Sequence, residues 1–195
     1  ETGVPHYDEL LASARRLPQP SGDPVVLVAP SWGPLSMFEA FGVDFVQALA
    51  RRYRVIVRPH PQMRVSQPDL YARILAIEGV EVDTSRTPAA AMARSNLLLS
   101  DISGIAHEFA LIHERPVLVI DRDMQAAGLE GEVLGGSSEL KQRCAGFIVA
   151  VPPGEIDRIA DHVGKAIDVH PGAVVAAARD GIVYNFGQAA EAAAG

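Results

Sequence analysis

Six short, largely apolar runs set the architecture of this chain: residues 25–29, 53–57, 80–82, 97–99, 117–120 and 147–151. Buried parallel strands have this character because helices cover both faces of their sheet. The segments between the runs supply those helices. Phe38, Phe41, Phe45 and Leu49 follow a 3, 4, 4 spacing and share one helical face. Ile156, Ile159, Val163 and Ile167 do the same, and Leu70, Ile74 and Ile77 form a third stripe. Ile105, Phe109 and Ile112 form the inward face of a helix that follows a Ser-Gly turn. Strand–helix alternation of this kind predicts an α/β fold, a doubly wound, Rossmann-like parallel sheet.

With 195 residues the chain is long enough for one domain with a substantial core. Hydrophobic residues make up 48% and charged residues 21%, the balance of a soluble globular class. A net charge of -7 argues against a nucleic-acid partner, which needs a basic face. The lone Cys144 excludes an internal disulfide framework, fits a reducing compartment and reads as a buried or half-buried thiol. No apolar run approaches the roughly 20 residues that span a bilayer, and no signal peptide is expected. The chain starts at Glu1 without a methionine, so a piece of a longer protein is expected. Residues 1–24 read as a short helix and a linker, the linker being the Pro/Gly/Ser stretch 19–24, and residues 25–195 as the main domain. Residues 128–138 read as a long loop, and the Ala-rich tail 189–195 as a segment ordered only against a partner domain.

In an open parallel sheet, ligands bind beyond the carboxyl ends of the strands. Three polar clusters follow apolar runs and are expected to meet there: residues 30–34 (PSWGP), 58–61 (RPHP) and 100–104 (SDISG). The alternative is ordinary loop chemistry. The third cluster says most. Ser103 suits a helix N-cap, and Gly104 lets a ligand approach the backbone. The first amides of the following helix lack intrahelical acceptors and carry the positive end of its dipole, a site for a diphosphate. His60 stands between two prolines that aim its imidazole, either at a phosphate oxygen as donor or general acid, or into a surface turn.

Arg58 either adds charge to the phosphate site or is solvated. Asp101 would repel a diphosphate and is expected to order the turn through backbone amides. Glu108, one turn into the helix, is placed to accept from ribose hydroxyls or to sit on an exposed face; for His107 the exposed face is expected. Trp32, the single tryptophan, flanks a sugar or base, or packs on neighbouring loops. The candidate phosphate and nucleotide contacts are thus Ser31, Trp32 and Arg58 from the first two clusters. Ser100, Ser103, Gly104 and Glu108 complete them. No His/Cys/Asp/Glu set has metal spacing, and the Walker loop, the Gly-x-Gly-x-x-Gly fingerprint and the Gly-x-Ser-x-Gly elbow are absent.

In order and spacing, the segments VLVAPSWGP (26–34), VIVRPHP (55–61), SNLLLSDISGIAHEFALIHERPVLVID (95–121), GFIV (146–149) and NFGQA (185–189) resemble the C-terminal half of the CDP-glycerol glycerophosphotransferases. Enzymes of that family build or prime teichoic-acid-type polymers. Residues 2–8 resemble the link that leaves the N-terminal domain in two-domain GT-B transferases. The resemblance covers nearly the whole chain. It implies the donor-nucleotide domain of a GT-B enzyme that transfers glycerol phosphate from CDP-glycerol to an acceptor hydroxyl in cell-wall polymer synthesis. It places the donor-phosphate contacts on His60 and on Ser103 and Gly104, with His60 catalytic. The activating base is implied to lie in a preceding acceptor domain, so this chain alone is expected to be inactive.

The resemblance implies no cofactor and no metal, and a cytoplasmic site at the inner face of the membrane. Two features depart from the family. Gly33 and Pro34 stand where a basic residue often follows the tryptophan, and Ser100 to Gly104 replace Thr-Asp-Tyr-Ser-Ser. The Ser-Gly turn also resembles that of the UDP-N-acetylglucosamine 2-epimerases, which isomerise a UDP-sugar. A non-catalytic sugar-nucleotide binding module is a third reading.

Overall fold

The computed structural model describes residues 3–101, 103–120 and 147–194. Six parallel strands form its sheet: β1 (Val25–Ala29), β2 (Arg54–Val57), β3 (Glu81–Val82), β4 (Leu97–Ser100), β5 (Val117–Ile120) and β6 (Ile148–Val151). They lie in the order β3-β2-β1-β4-β5-β6. The doubly wound parallel sheet expected from the apolar runs is therefore present, with each strand at its run. The strand β1 is buried at every position, as a central strand covered on both faces must be.

Alternation along β1 sorts the core into two layers. Val26 and Val28 face one side, with Phe38, Phe45, Leu49 and Ile74. Val25, Leu27 and Ala29 face the other, with Met92, Phe109 and Leu111. The first layer is closed by α2 (Met37–Phe41), α3 (Asp44–Ala50), α5 (Pro68–Leu75) and α8 (Ile159–Ala166). The second is closed by α6 (Ala89–Arg94), α7 (Gly104–His113) and α9 (Gly172–Ile182). A short α4 (Met63–Ser66) follows the second polar cluster. No described helix is long and apolar enough to cross a membrane.

Three expectations change in detail. The Phe38–Leu49 stripe belongs to two helices, because Gly42, at φ +66°, ends α2 and α3 restarts after Val43. The face survives the break, since Phe38 and Phe45 still meet at 5.5 Å. Ile156 lies in a 3-10 turn, Pro153–Arg158, ahead of α8. The Ala-rich tail needs no partner domain: it forms α10 (Ala189–Ala194), which packs on α1 (Pro5–Arg16) of the same chain. There the Ala190 amide donates to Asp8 Oδ2 at 2.8 Å. Cys144 and the loop expected at 128–138 lie outside the described residues.

The last turn of α7 carries an acid-sensitive group. His113 is half-buried, its ring 5.4 Å from that of Phe109. Burial, helped by the Arg115 charge, lowers its pKa from 6.5 to about 4. Between those values the unfolded chain binds a proton that the folded chain refuses, so stability falls as pH drops through that window and is unaffected above it. Allowing for solvent screening, ~2 kcal/mol should be lost by about pH 4. Urea unfolding of His113→Gln should show a loss smaller by that amount; an identical pH profile would contradict it.

Candidate functional site

The strand order reverses between β1 and β4: one half of the chain builds outward from β1 through β2 to β3, the other from β4 through β5 to β6. A crevice opens beyond the carboxyl ends of the strands at such a switch point. Parallel pairing aligns Ala29 with Ser100 and Val28 with Val57. The three polar clusters therefore leave the same edge of three adjacent strands. The shared rim expected from sequence is present.

Ser103 is the N-cap of α7, with extended backbone (φ −150°, ψ 142°) and no side-chain capping bond. Its carbonyl accepts from the Ala106 amide at 3.1 Å. Among the described residues the Ser103 hydroxyl makes no capping bond, and the first amides of the helix lack intrahelical acceptors. Gly104 is exposed, and a Cβ there would meet nothing within 4 Å. Among the described residues the geometry is a helix terminus with an open approach.

His60 is half-buried in the loop after β2. Its Nδ1 accepts the Gln62 amide at 3.2 Å. In the neutral ring this assigns the proton to Nε2, which can then donate to a ligand. Burial first, and the Arg58 charge next, lower its pKa, while Asp101 opposes them. Trp32 stacks on this ring, centroids 6.1 Å apart and planes at 29°. It is 48% exposed, and among the described residues its close ring partner is the candidate catalytic residue.

The remaining candidates divide. Arg58 is neither solvated nor free: Nη1 donates to Asp83 Oδ2 at 2.6 Å and to the Ser85 hydroxyl, and Nη2 donates to the Ser85 carbonyl. Burial opposes ionisation of Asp83, but bonds from Ser85 and Arg58 outweigh it and hold the carboxyl below its usual range. Arg58 ties the end of β2 to the segment after β3. Ser100 is fully buried, its hydroxyl donating to the Ala29 carbonyl at 2.6 Å; it joins β4 to β1 and offers nothing to the crevice. Glu108 stands 3.5 Å from His6 on α1. His107 is half-buried rather than on an exposed face, and burial lowers its pKa. Among the described residues no three His, Cys, Asp or Glu side chains gather as a metal-holding group.

Asp101 does more than sequence implied. It is buried, and it accepts from the Ser31 amide at 2.6 Å and from the Met37 amide at 2.8 Å. Through those amides it also orders the loop after β1. Burial raises its pKa, against the pull of those amides. Gln67, between α4 and α5, holds the same loop through the Gly33 amide at 2.8 Å. Asp101 had a visible signal, a carboxylate just before a helix cap. Gln67 had none.

The family described as CDP-Glycerol:Poly(glycerophosphate) glycerophosphotransferase matches residues 1–127. No curated protein matches the chain in sequence. Among solved structures, a variant of the wall teichoic acid polymerase TagF with CDPG has a TM-score of 0.53 and 21% identity, covering 98% of this chain and 48% of that one. The UDP-GlcNAc 2-epimerase from Neisseria meningitidis bound to UDP-GlcNAc has a TM-score of 0.54 and 18% identity, with 97% and 51% covered. The chain thus spans about half the length of these structures. At such identities the likeness is one of fold, that of a Rossmann-like GT-B half.

Proposed function

The chain belongs to the CDP-glycerol:poly(glycerophosphate) glycerophosphotransferase family, and from that premise we propose that it is the donor-nucleotide half of a two-domain GT-B transferase. The observation that carries the reading is the amino end of α7 beside the β1–β4 crevice, where among the described residues the Ser103 hydroxyl makes no capping bond and Gly104 is exposed. A diphosphate there accepts from the first amides of the helix and from the Ser103 hydroxyl, and its charge is favoured by the helix dipole. His60 Nε2 donates to the phosphate that becomes the leaving group, where charge grows in the transition state. Trp32 screens that ring from solvent. Arg58 and Ser100 act behind the site, as the tie between strand ends and the tie between β4 and β1.

In this reading the reaction is transfer of glycerol phosphate from CDP-glycerol to an acceptor hydroxyl. The acceptor and the base that activates it belong to the other half of the enzyme, so this chain binds donor and does not turn it over. A half-open pocket keeps its donors solvated, and affinity for CDP should be modest, roughly 0.1–1 mM, or about 4–5.5 kcal/mol. NMR titration with CDP, UDP and cytidine tests this. The diphosphates should bind well above the nucleoside, with CDP ahead of UDP; UDP ahead of CDP would favour the epimerase-like reading. Gly104→Val should weaken CDP binding by crowding the helix terminus. Equal responses to cytidine and CDP would remove the diphosphate assignment.

A further inference from the structure

The loop after β1 is fastened from two directions. Asp101 holds it at the Ser31 and Met37 amides. Between those points Gln67 Oε1 accepts from the Gly33 amide, while Gln67 Nε2 donates to Glu39 Oε2, both at 2.8 Å. One amide orientation satisfies both ends. Reversed, it would set N–H against N–H and oxygen against carboxylate. Gln67 is itself set in place: it is the junction of α4 and α5, its amide donates to the Met63 carbonyl, and Pro68 opens α5. Gly33, at φ +82°, lies in the left-handed region, and its carbonyl accepts from Ser36. The peptide that Gln67 grips is the one joining Trp32 to Gly33.

We propose that Gln67 is a positioning residue of this site, holding Trp32 over His60 by fixing the Trp32–Gly33 peptide. The consequence for catalysis rests on the reading of His60 given above; the clamp itself does not. A residue here must accept from a main-chain amide and donate to a carboxylate at once. Glutamine does both, and glutamate, ionised, only accepts. The charged groups that act on His60 are Arg58 and Asp101, and neither bonds to Gln67, so changing Gln67 leaves them in place.

Trp32 is the only tryptophan of the chain, so its fluorescence reports the stack. An imidazolium against an indole face is held by cation–π attraction and quenches the emission, which should therefore step as His60 titrates. The step is assigned by its absence in His60→Ala. Gln67→Leu, which cannot accept from the Gly33 amide, should lose most of the step while the far-ultraviolet circular dichroism stays that of the parent. Gln67→Glu with Glu39→Gln should keep it, because a carboxylate still accepts from that amide and the donor and the carboxylate have exchanged places. A full-sized step in Gln67→Leu, no step in the parent chain, or no step in the double variant would overturn the proposal. If Gln67→Leu fails to fold, the double variant decides alone: a step supports the clamp and its absence overturns it. No nucleotide enters the measurement. A chain that ignores CDP but passes this test would sink the donor-binding reading and leave the clamp standing.

Discussion

Asp101→Ala should destabilise the fold by ~4 kcal/mol and free the loop after β1. Two main-chain amides, those of Ser31 and Met37, donate to this one buried carboxylate. A hydrogen bond to a charged group contributes about 1.5–3 kcal/mol, and a buried donor left unmade carries a desolvation penalty of its own. Alanine removes both bonds and fills neither gap. Asparagine keeps an acceptor for one amide but turns its N–H2 toward the other, so Asp101→Asn should fall between parent and alanine, near ~2 kcal/mol. Urea unfolding gives both numbers. A loss under about 1 kcal/mol for alanine would mean that water replaces the carboxylate and that the loop does not depend on it.

In the proposed two-domain transferase, His60→Ala should slow glycerol phosphate transfer by about 100-fold or more. Folding should hardly notice: the residue is half-buried in a rim loop, and the change removes the ring contact with Trp32, about 0.5–1 kcal/mol. His60→Gln should recover part of the rate, because its amide can still donate toward the leaving phosphate. Rate constants at saturating donor separate the effect from weakened binding. Wild-type turnover in the alanine variant would remove His60 from the mechanism.

The sheet was legible because β1, β4 and β5 are covered on both faces and so are written in almost uninterrupted apolar residues. The start of α7 was legible because Ser103 and Gly104 meet local demands of a helix terminus. The break between α2 and α3 was not. Phe38, Phe41, Phe45 and Leu49 keep their spacing across Gly42, so hydrophobic periodicity alone reads one continuous helix. Arg58 and Ser100 looked like ligand contacts because each follows a strand at the right edge. Their partners Asp83, Ser85 and Ala29 come from other strand ends, and no local pattern announces them. Gln67 is the extreme case: its partner Gly33 lies 34 residues away, and its neighbours in sequence suggest only a turn.

The seam between α1 and α10 has a consequence for how the chain is made. Its hydrogen bond from Ala190 to Asp8 spans 182 residues, and Gly3, at φ +84°, passes so near the Tyr184 carbonyl that an added Cβ would lie 2.1 Å from it. Contacts of this reach are the last that a growing chain can form. During synthesis α1 can dock on α6 and α7, but its side toward Phe186 and Ala190 stays uncovered until residues 184–190 have left the ribosome. The alanine-rich segment, so plain in composition, works as the latch that ends this exposed interval. Shortening the chain before residue 189 should therefore show first as aggregation during expression, ahead of any loss in the rim chemistry.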